Sequence, residues 1–349
     1  SNPQLIPALA FDPTTTHGQL PKIATIATSD QSLIIDISAT PNLGEHLRTQ
    51  GLFCAANAKE SHHIALKLFG VAPRRWACIR LIETLLNGSD QAAKSPEILA
   101  EDYKIGPLPD PTRSLEAFGK YTQGLASIVE AQIPRIKKAG LAWVSKIEAA
   151  AVAPIAEMEF RGMCIDSVKW RQITTENKQE RDLITGHILD YLKDHITRDL
   201  TGSTAFNLES NQDLLKVLHQ LGHQVKNVKK QSLQQLPPPL GPWLLRYREL
   251  SKAVSTYGES FLRNLGADGR LHPTFEQIGA STGRMACHSP NIQAVLKTSQ
   301  HRDCFRCAPH RRLVVADYAT CELRILAQMS GDPVFRKAFA EGEDLHSRV

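Results

Sequence analysis

Long hydrophobic runs are absent from this sequence of 349 residues. No apolar stretch approaches the roughly 20 residues that a helix needs to span a bilayer, which argues against a membrane-spanning protein. The opening letters SNPQLIPALAF lack the basic start and long apolar core of a secretory signal, and we expect Ser1 and Asn2 to be the remnant of a tag. Internal repeats and low-complexity tracts do not stand out either. With 42% hydrophobic and 22% charged residues, the chain has a soluble globular composition, and its length predicts two or three domains.

Cysteine is scarce and does not suggest a disulfide framework. Seven cysteines, an odd number and mostly scattered, indicate a reducing compartment. Only Cys304 and Cys307, in CFRC, are closely spaced. A zinc site would need a second pair of ligands, and Cys287 with His288 is the only nearby candidate. We therefore interpret the CFRC spacing as a coincidence.

Basic residues are concentrated in one part of the chain. From Lys216 to Arg312, which we call the basic block, there are 15 Lys and Arg against 5 Asp and Glu, a balance of +10. The remaining residues carry 26 Lys and Arg against 31 Asp and Glu, a balance of −5. This asymmetry suggests a polyanionic partner such as nucleic acid. The alternative is a solvated basic face without a partner.

The first part of the chain, to about residue 140, mixes the patterns of strands and helices. ALAF, IATIAT and SLIIDIS predict strands, whereas ESHHIALKLFG and RLIETLLNG predict helices that end at glycine. The helical period then dominates, and FNLESNQDLLKVLHQLG places a polar N-cap before another helix. After the break at PPPLGP, the stretch WLLRYRELSKAVSTYGESFLRNL predicts one long amphipathic helix carrying Arg246, Arg248, Lys252 and Arg263.

The stretch VVADYATCELRILAQMSGD, from Val314 to Asp332, combines a short apolar run with charged residues. It predicts a buried strand that ends at Asp317, followed by a helix with Glu322 and Arg324 in its first turn. A carboxylate at a strand end is suited to hold a divalent metal such as Mg²⁺. A two-metal phosphoryl transfer would need a second carboxylate from elsewhere. The alternatives are that Asp317 caps the helix and that Glu322 and Arg324 form an ordinary surface pair.

The preceding segment STGRMACHSPNIQ contributes side chains suited to nucleic acid. Arg284 can hold phosphate through a fork of donors. Asn291 and Gln293 carry donors and acceptors that suit the minor-groove edges of bases, where acceptors occur in every base pair. Contacts of this kind are possible with a nucleic acid of any base sequence.

These two segments together resemble the palm of family A DNA polymerases, the DNA polymerase I type. PIAEMEFRGMCID, FNLESNQDLLKVL and LLRYRELSKAVSTYGESFL extend the resemblance over most of residues 145–349. It implies an α/β exonuclease-like (RNase H-like) domain followed by a helical thumb and part of an α+β polymerase palm. The expected boundaries are 1–140 for the exonuclease-like domain, 141–170 for the start of the palm, 171–255 for the thumb, and 256–349 for a partial palm.

The resemblance also implies roles for individual residues. Asp317 corresponds to the first of two catalytic aspartates of a two-metal Mg²⁺ site, and the backbone of Tyr318 would assist it. Glu322 corresponds to a steric gate that favours deoxynucleotides, and His346 to a histidine near the triphosphate. Arg284, Asn291 and Gln293 match contacts to the primer–template. Ala319 and Thr320 depart from the usual DYSQIE, so we expect the local hydrogen bonds around the primer and template to differ from those of the family.

Residues 1–140 resemble an exonuclease domain in outline, and against its motifs they lack most of the acids that the nuclease activity needs. Asp12 remains, but the other acidic positions are occupied by Thr14, Ser61, Cys78 and Leu125, and Ala56 replaces a histidine; Asn57, Lys59 and Tyr121 are kept. One carboxylate cannot hold two metals, so we expect a structural remnant without 3′–5′ exonuclease activity. Glu60 or Asp102 as shifted substitutes are the alternative. An active RNase-D-like nuclease is disfavoured for the same reason.

The resemblance thus predicts a DNA-directed DNA polymerase whose partners are primer–template DNA and dNTP. The sequence ends at GEDLHSRV, before the fingers and the second palm aspartate of the family. We therefore expect a C-terminal polymerase fragment as a partner, and an isolated chain that holds DNA without extending it. The alternative is a non-catalytic DNA-binding fragment or subunit of a split polymerase. The expected location is the cytoplasm, associated with the nucleoid, or the host cytoplasm for a viral protein.

Overall fold

The computed structural model of the chain divides into two units, Ser1–Phe305 and Arg306–Val349. The residues that the structure describes are 6–14, 19–88, 94–196, 206–295 and 299–342. No helix within these ranges is long and apolar enough to cross a membrane.

The first unit begins with a five-stranded mixed sheet. Its strands are β1 (Ala8–Phe11), β2 (Ile23–Ala27), β3 (Ser32–Asp36), β4 (Leu52–Ala55) and β5 (Arg75–Cys78), in the order β3-β2-β1-β4-β5. β1 to β3 are antiparallel neighbours, whereas β4 runs parallel to both β1 and β5. The carboxyl ends of β1, β4 and β5 therefore lie at one edge of the sheet, which we call the carboxyl edge. The three strands predicted from local patterns are confirmed.

Helices cover both faces of this sheet. They are α1 (Leu43–Thr49), α2 (Ala58–Phe69), α3 (Ile79–Asn87), α4 (Pro96–Asp102) and α5 (Leu115–Lys138). Alternate residues of a strand point to opposite faces, so Leu9 and Phe53 enter one core cluster while Ala8 and Cys54 enter the other. The second cluster includes Leu125 from α5. The two predicted helices are confirmed as α2 and α3, which end at Gly70 and Gly88.

A helical arm follows the sheet. Its helices are α6 (Ala142–Arg161), α7 (Ser167–Tyr191), α8 (Asn211–Gln220), α9 (Lys230–Leu233), α10 (Leu240–Tyr257) and α11 (Glu259–Leu262). Ser210 caps α8 by accepting a hydrogen bond from the Asp213 amide at 3.2 Å, as its polar N-cap position predicts. Buried isoleucines of α7 and buried leucines of α8, α9 and α10 share one hydrophobic core with apolar residues of the loops between them.

The long helix predicted over residues 243–265 is wrong at its carboxyl end. α10 stops at Tyr257, and Gly258 separates it from the short α11, so Arg263 lies beyond both helices. A Cβ atom at Gly258 would lie 2.2 Å from the carbonyl oxygen of Val254. The chain therefore turns tightly against the last turn of α10 at a position where only glycine fits, a local backbone contact that the periodicity of side chains does not reveal.

Two small sheets follow. β6 (Met163–Ile165), β7 (Arg270–Leu271) and β10 (Phe305–Arg306) form one sheet in the order β10-β6-β7. β8 (Thr274–Glu276) and β9 (Ala286–His288) form an antiparallel hairpin, followed by α12 (Ser299–Arg302). Trp170 of α7 anchors this region because its ring stacks on Phe261 at 4.6 Å and its Nε1 donates to the carbonyl of Tyr257 at 2.6 Å.

The second unit contains two short helices, α13 (Cys321–Ser330) and α14 (Pro333–Glu341), joined through Gly331 in the left-handed conformation. The buried strand predicted before Asp317 is wrong. Residues 311–318 are irregular, and Val314 and Val315 are 89% and 93% exposed. An apolar run becomes a strand only when a neighbouring strand satisfies its backbone groups, and among the described residues this segment pairs with none.

Candidate functional site

The β8–β9 hairpin presents Arg284 at its connecting loop. The amides of Gly279 and Ala280 both donate to the carbonyl of Arg284, at 3.2 and 3.1 Å, and close the loop. A Cβ atom at Gly279 would lie 2.4 Å from the Cβ of Ala286, so glycine permits this close approach. The side chain of Arg284 is exposed. The backbone of the loop is thus fixed while its arginine faces solvent.

Asn291 and Gln293 lie just after this hairpin, and both are exposed. The Oδ1 of Asn291 accepts a hydrogen bond from the amide of Ala294 at 3.1 Å, which holds the turn that follows β9. The buried Cys287 also stabilises this stretch, because its Sγ donates to the carbonyl of Pro290 at 3.5 Å. The structure therefore brings the three predicted DNA-contacting residues together on one exposed segment, 284–293, of the first unit.

Asp317, Tyr318 and Glu322 lie together at the start of α13 in the second unit. Asp317 and Tyr318 are exposed and precede the helix, and Glu322 occupies its first turn, as predicted. The N-cap residue of α13 is Thr320, which makes no side-chain capping bond. The alternative that Asp317 caps the helix is therefore wrong. His346 lies outside the residues that the structure describes.

The two positions that depart from DYSQIE shape this turn. Thr320 has a φ of 52°, a conformation that β-branched residues rarely adopt, and its hydroxyl donates to the carbonyl of Ala319 at 2.8 Å. Arg324 donates from Nε to the same carbonyl at 3.1 Å, and its guanidinium lies 4.6 Å from the centre of the Phe339 ring. Arg324 is thus used to hold the turn before α13 and to pack α13 on α14.

Metal-ligating side chains do not form a dense cluster in the described part of the chain, where no group of three or more could hold a metal ion. All seven cysteines are free. In the CFRC pair, the Sγ of Cys304 is buried and donates to the carbonyl of Gln300 at 3.4 Å, and the exposed Cys307 donates to the carbonyl of Arg311 at 2.9 Å.

At the carboxyl edge, Asp12, the one acid retained in the predicted exonuclease motifs, lies immediately after β1. The Oδ1 of Asp12 accepts hydrogen bonds from the amide and the hydroxyl of Thr14, at 2.9 and 2.7 Å. Ser61 lies on α2 and is half-buried. Cys78 caps α3 at the end of β5, where burial raises the pKa of its thiol, and Leu125 is buried in the core beneath α5. Two of the replaced positions thus contribute to packing.

The proposed substitutes for the lost acids have other partners. Asp102 forms an ion pair with Lys94 at 2.6 Å, and Glu60 accepts a hydrogen bond from Asn57 at 3.3 Å. Neither belongs to a metal-ligating group among the described residues.

Sequence reasoning missed Glu159 at this edge. Its carboxylate is buried on α6 and contacts Lys59 Nζ at 2.6 Å, the amide of Phe275 at 2.6 Å and His63 Nε2 at 3.3 Å. The signal that could have revealed it is an acidic residue inside the apolar helical stretch PIAEMEF, because a charge on a buried face needs a partner.

The basic block is only partly available to a partner. Arg246 binds Glu180 and Glu249, and Arg248 donates to the carbonyl of Val228 and to the side-chain oxygen of Asn211. The hydrogen bonds from Arg246 hold the pKa of Glu180 below its usual range, and burial lowers the pKa of Arg248. In the arm, the exposed lysines of the basic block are Lys216, Lys226, Lys229 and Lys230, around α8 and α9, and Lys252 on α10.

The sequence that forms this site matches a known protein family. The sequence profile of DNA polymerase family A matches residues 176–349, which include the segment 284–293 and the start of α13. DNA polymerase I of Helicobacter pylori is 33% identical over 211 residues, which cover 57% of this chain. The chain belongs to DNA polymerase family A. The thermostable DNA polymerase I of Thermus filiformis is 30% identical over 233 residues, or 62% of this chain.

The family A chain spans about a quarter of the length of these curated relatives, 22% of the first and 27% of the second. A solved structure, the POL domain of Pol1 from M. smegmatis in complex with DNA primer-template and dNTP, matches it with a TM-score of 0.72. The match covers 98% of this chain and 62% of that one at 22% identity, so it shows a shared fold.

Proposed function

We propose that this family A chain binds primer–template DNA and takes part in Mg²⁺-dependent, DNA-directed addition of deoxynucleotides to a primer end. The observation that carries the proposal is the exposed segment 284–293. It presents one arginine from a hairpin whose backbone is fixed and two amide side chains from the stretch that follows the hairpin. Arginine suits phosphate, and amides suit the groove edges that every base pair offers, so the segment fits a duplex of any sequence. The exposed lysines around α8 and α9 add attraction for phosphate.

Asp317 is the residue that we assign to the chemical step. Its exposed carboxylate and the neighbouring backbone of Tyr318 offer the oxygen ligands that Mg²⁺ takes in phosphoryl transfer. Bound there, Mg²⁺ would activate the primer hydroxyl and offset phosphate charge. Glu322, in the first turn of α13, would crowd the 2′ position of the incoming sugar and so exclude ribonucleotides. His346 would lie near the triphosphate.

The remaining metal ligands would come from a polypeptide that packs on the second unit. Beside Asp317, this unit exposes a set of large apolar side chains: Val314, Val315, Ile325, Leu326 and Met329. Exposed apolar groups of this kind mark surfaces where other polypeptide packs. The polypeptide that we propose carries the fingers and the second palm aspartate of the family.

The proposed parts of the chain follow the family plan. Residues 1–140 form an exonuclease-like domain without nuclease activity, which the mixed sheet and the single acid left in the exonuclease motifs, Asp12, support. Residues 141–170 begin the palm, residues 171–255 form the thumb, and residues 256–349 continue the palm. The helical arm that gathers α7, α8, α9 and α10 around one core supports the assignment of the thumb.

A second candidate is a subunit that grips DNA without chemistry of its own. It is favoured by the absence, within the described ranges, of any group of three metal-ligating side chains. Both candidates share the DNA surface and differ only in what Asp317 does.

Binding and extension assays with a labelled primer–template test the proposal. The chain is expected to bind the primer–template more tightly than a single strand of equal length. Mixed with a polypeptide carrying the fingers and the second aspartate, it is expected to extend the primer when Mg²⁺ and dNTPs are present. Binding without extension in that mixture would favour the second candidate. Equal affinity for the duplex end and the single strand would contradict both.

A further inference from the structure

A buried ion pair clamps the backbone of Phe275 in the DNA-presenting hairpin. The amide of Phe275 donates to Oε1 of Glu159 at 2.6 Å, and its carbonyl accepts from Lys59 Nζ. Lys59 Nζ and Glu159 Oε1 are themselves 2.6 Å apart. Lys59 stands at the start of α2 in the α/β domain, Glu159 near the end of α6, and Phe275 in the middle of β8. One contact thus joins three distant segments of the first unit.

The ion pair takes the place of a third strand. Phe275 lies opposite Cys287 in the hairpin register, and both its backbone groups point away from β9. Alternate residues of an antiparallel pair expose their groups on the outer side in this way. An outer edge without partners invites slippage or pairing with other chains. Here the ammonium and the carboxylate satisfy the acceptor and the donor that a neighbouring strand would otherwise satisfy.

Both members of the pair are needed for this contact. The side chains of Lys59 and Glu159 are only 19% and 6% exposed, so either charge left alone would be buried without compensation. His63 Nε2 on α2 donates to the carbonyl of Ala156 at 2.8 Å and lies 3.3 Å from the second oxygen of Glu159, so it contacts the carboxylate from the other side.

Further contacts hold the same strand. Arg80 of α3 lies 3.3 Å from Glu276, and Gln277 donates to the carbonyl and the carboxylate of Glu148 on α6 at 2.9 and 2.7 Å. The side chain of Phe275 packs with Ile155 of α6. The Lys59 contact differs from these because it is buried and acts on the backbone, which determines where the strand lies.

We propose that Lys59 is a positioning residue for DNA binding, through which the exonuclease-like domain holds the β8–β9 hairpin and its Arg284 in place. The proposal rests on the proposed function of segment 284–293. It gives the domain a role that needs none of the lost nuclease acids. Lys59 comes from CAANAKES, the segment in which the histidine and aspartate of the family pattern are replaced while Asn57 and Lys59 remain.

The test compares Lys59→Met with matched variants in a primer–template binding assay. Lys59→Met keeps the length of the side chain and removes its charge. The control is Arg48→Met, which also removes one positive charge from the α/β domain but breaks only the exposed pair with Glu45. We expect Lys59→Met to weaken binding by about tenfold, Arg48→Met to have little effect, and Lys59→Arg to restore most of the loss. Amide hydrogen exchange in β8 and β9 should be faster in Lys59→Met alone.

A double-mutant cycle separates positioning from general stability. If Lys59 acts by placing Arg284, then Lys59→Met should weaken binding much less in an Arg284→Ala background than in the wild type. Equal losses in both backgrounds would contradict positioning. Should Lys59→Met fail to fold, the pair Lys59→Met with Glu159→Gln replaces it, because it leaves no unpaired buried charge and still removes the donor to Phe275.

The outcomes distinguish this inference from the proposed function. If Arg284→Ala weakens binding but a folded Lys59→Met variant binds as the wild type does, the positioning role is contradicted and the DNA surface stands. If Arg284→Ala has no effect on binding, the proposed surface itself is wrong, and the positioning role is wrong with it.

Discussion

Arg246 on α10 binds Glu180 on α7 through two hydrogen bonds of 2.7 Å, from Nε and from a terminal guanidinium nitrogen. A two-point contact of this kind fixes the relative orientation of both groups. It joins the two long helices of the arm across 66 residues of sequence. The charge of Arg246 is therefore used inside the arm, although the charge count alone assigned it to the basic block.

Glu180→Gln should make the stability of the arm less dependent on pH. The hydrogen bonds from Arg246 lower the pKa of Glu180 in the folded state, so its stabilising contribution is present above the ordinary value of 4.5. That contribution is lost as the pH falls through the lowered pKa. Since both side chains are more than a third exposed, we expect only about 0.3–1 kcal/mol at pH 7, less at high salt.

Urea unfolding at pH 7 and at pH 3 measures this effect. The difference between the two free energies of unfolding should be smaller in Glu180→Gln than in the wild type. Glu101→Gln, which changes an exposed glutamate on α4, is the control and should leave the difference unchanged. An unchanged difference in Glu180→Gln would show that the ion pair contributes nothing to stability.

The first domain, which we propose to be an exonuclease-like domain without activity, should not shorten a primer. Asp12 is the only acid left in its motifs, and the replacements Cys78 and Leu125 are buried in the packed domain. A mismatched primer is incubated with the chain and Mg²⁺ or Mn²⁺, and its length is followed on a gel. We expect no loss above background. Shortening that Asp12→Ala abolishes would show that the domain retains a working metal site.

Local patterns predicted most of the first domain because its strands and helices each carry their own signal. β1 coincides with ALAF, and α2 ends at Gly70, whose φ of 70° favours glycine. The strand predicted before Asp317 failed because an apolar run has to pair before it becomes a strand, and pairing is not local. The break at Gly258 was missed for a different reason, since it depends on a close approach to the backbone of Val254, four residues earlier, which the spacing of apolar side chains does not report.

The residues of the candidate site were predicted from the resemblance to family A polymerases, whereas the buried residues that hold them in place were not. Arg284, Asn291, Gln293 and Glu322 stand on the surface where the motif suggests. The bond between Lys59 and Glu159 joins residues 100 positions apart, and no periodicity or spacing links them. Partners of buried charges are chosen by the fold as a whole, so the sequence indicates only that a partner is needed.

Primer–template binding should depend strongly on salt, and Arg284 should account for part of that dependence. Each phosphate contact contributes to the slope of the logarithm of affinity against the logarithm of salt concentration. Arg284→Ala should weaken binding and reduce the slope by about 1, without creating a sequence preference. Arg113→Ala, which removes an 81% exposed arginine from the α/β domain, is the control and should change neither. A flat salt response in the wild type would count against the DNA surface.

Glu322→Ala should relax the choice of sugar. The shorter side chain leaves room for a 2′ hydroxyl beside the first turn of α13, so ribonucleotides should be incorporated more often while extension continues at a reduced rate. The measurement is primer extension with dNTP and rNTP in the reconstituted mixture. Glu341→Ala, which changes an exposed glutamate on α14, should retain the selectivity of the wild type. Unchanged sugar selectivity in Glu322→Ala would contradict the assignment of Glu322 as the steric gate.

The role of Asp317 is measured most directly by primer extension with Asp317→Asn. The variant and the wild type are each combined with a polypeptide carrying the fingers and the second palm aspartate, in the presence of Mg²⁺, dNTPs and primer–template. We expect extension by the wild type only in this mixture and none by Asp317→Asn. The two proteins should bind DNA with nearly equal affinity, because the loss of a metal ligand reduces the stabilisation of the transition state and not the binding of DNA. Extension by Asp317→Asn at the rate of the wild type would contradict the proposed function.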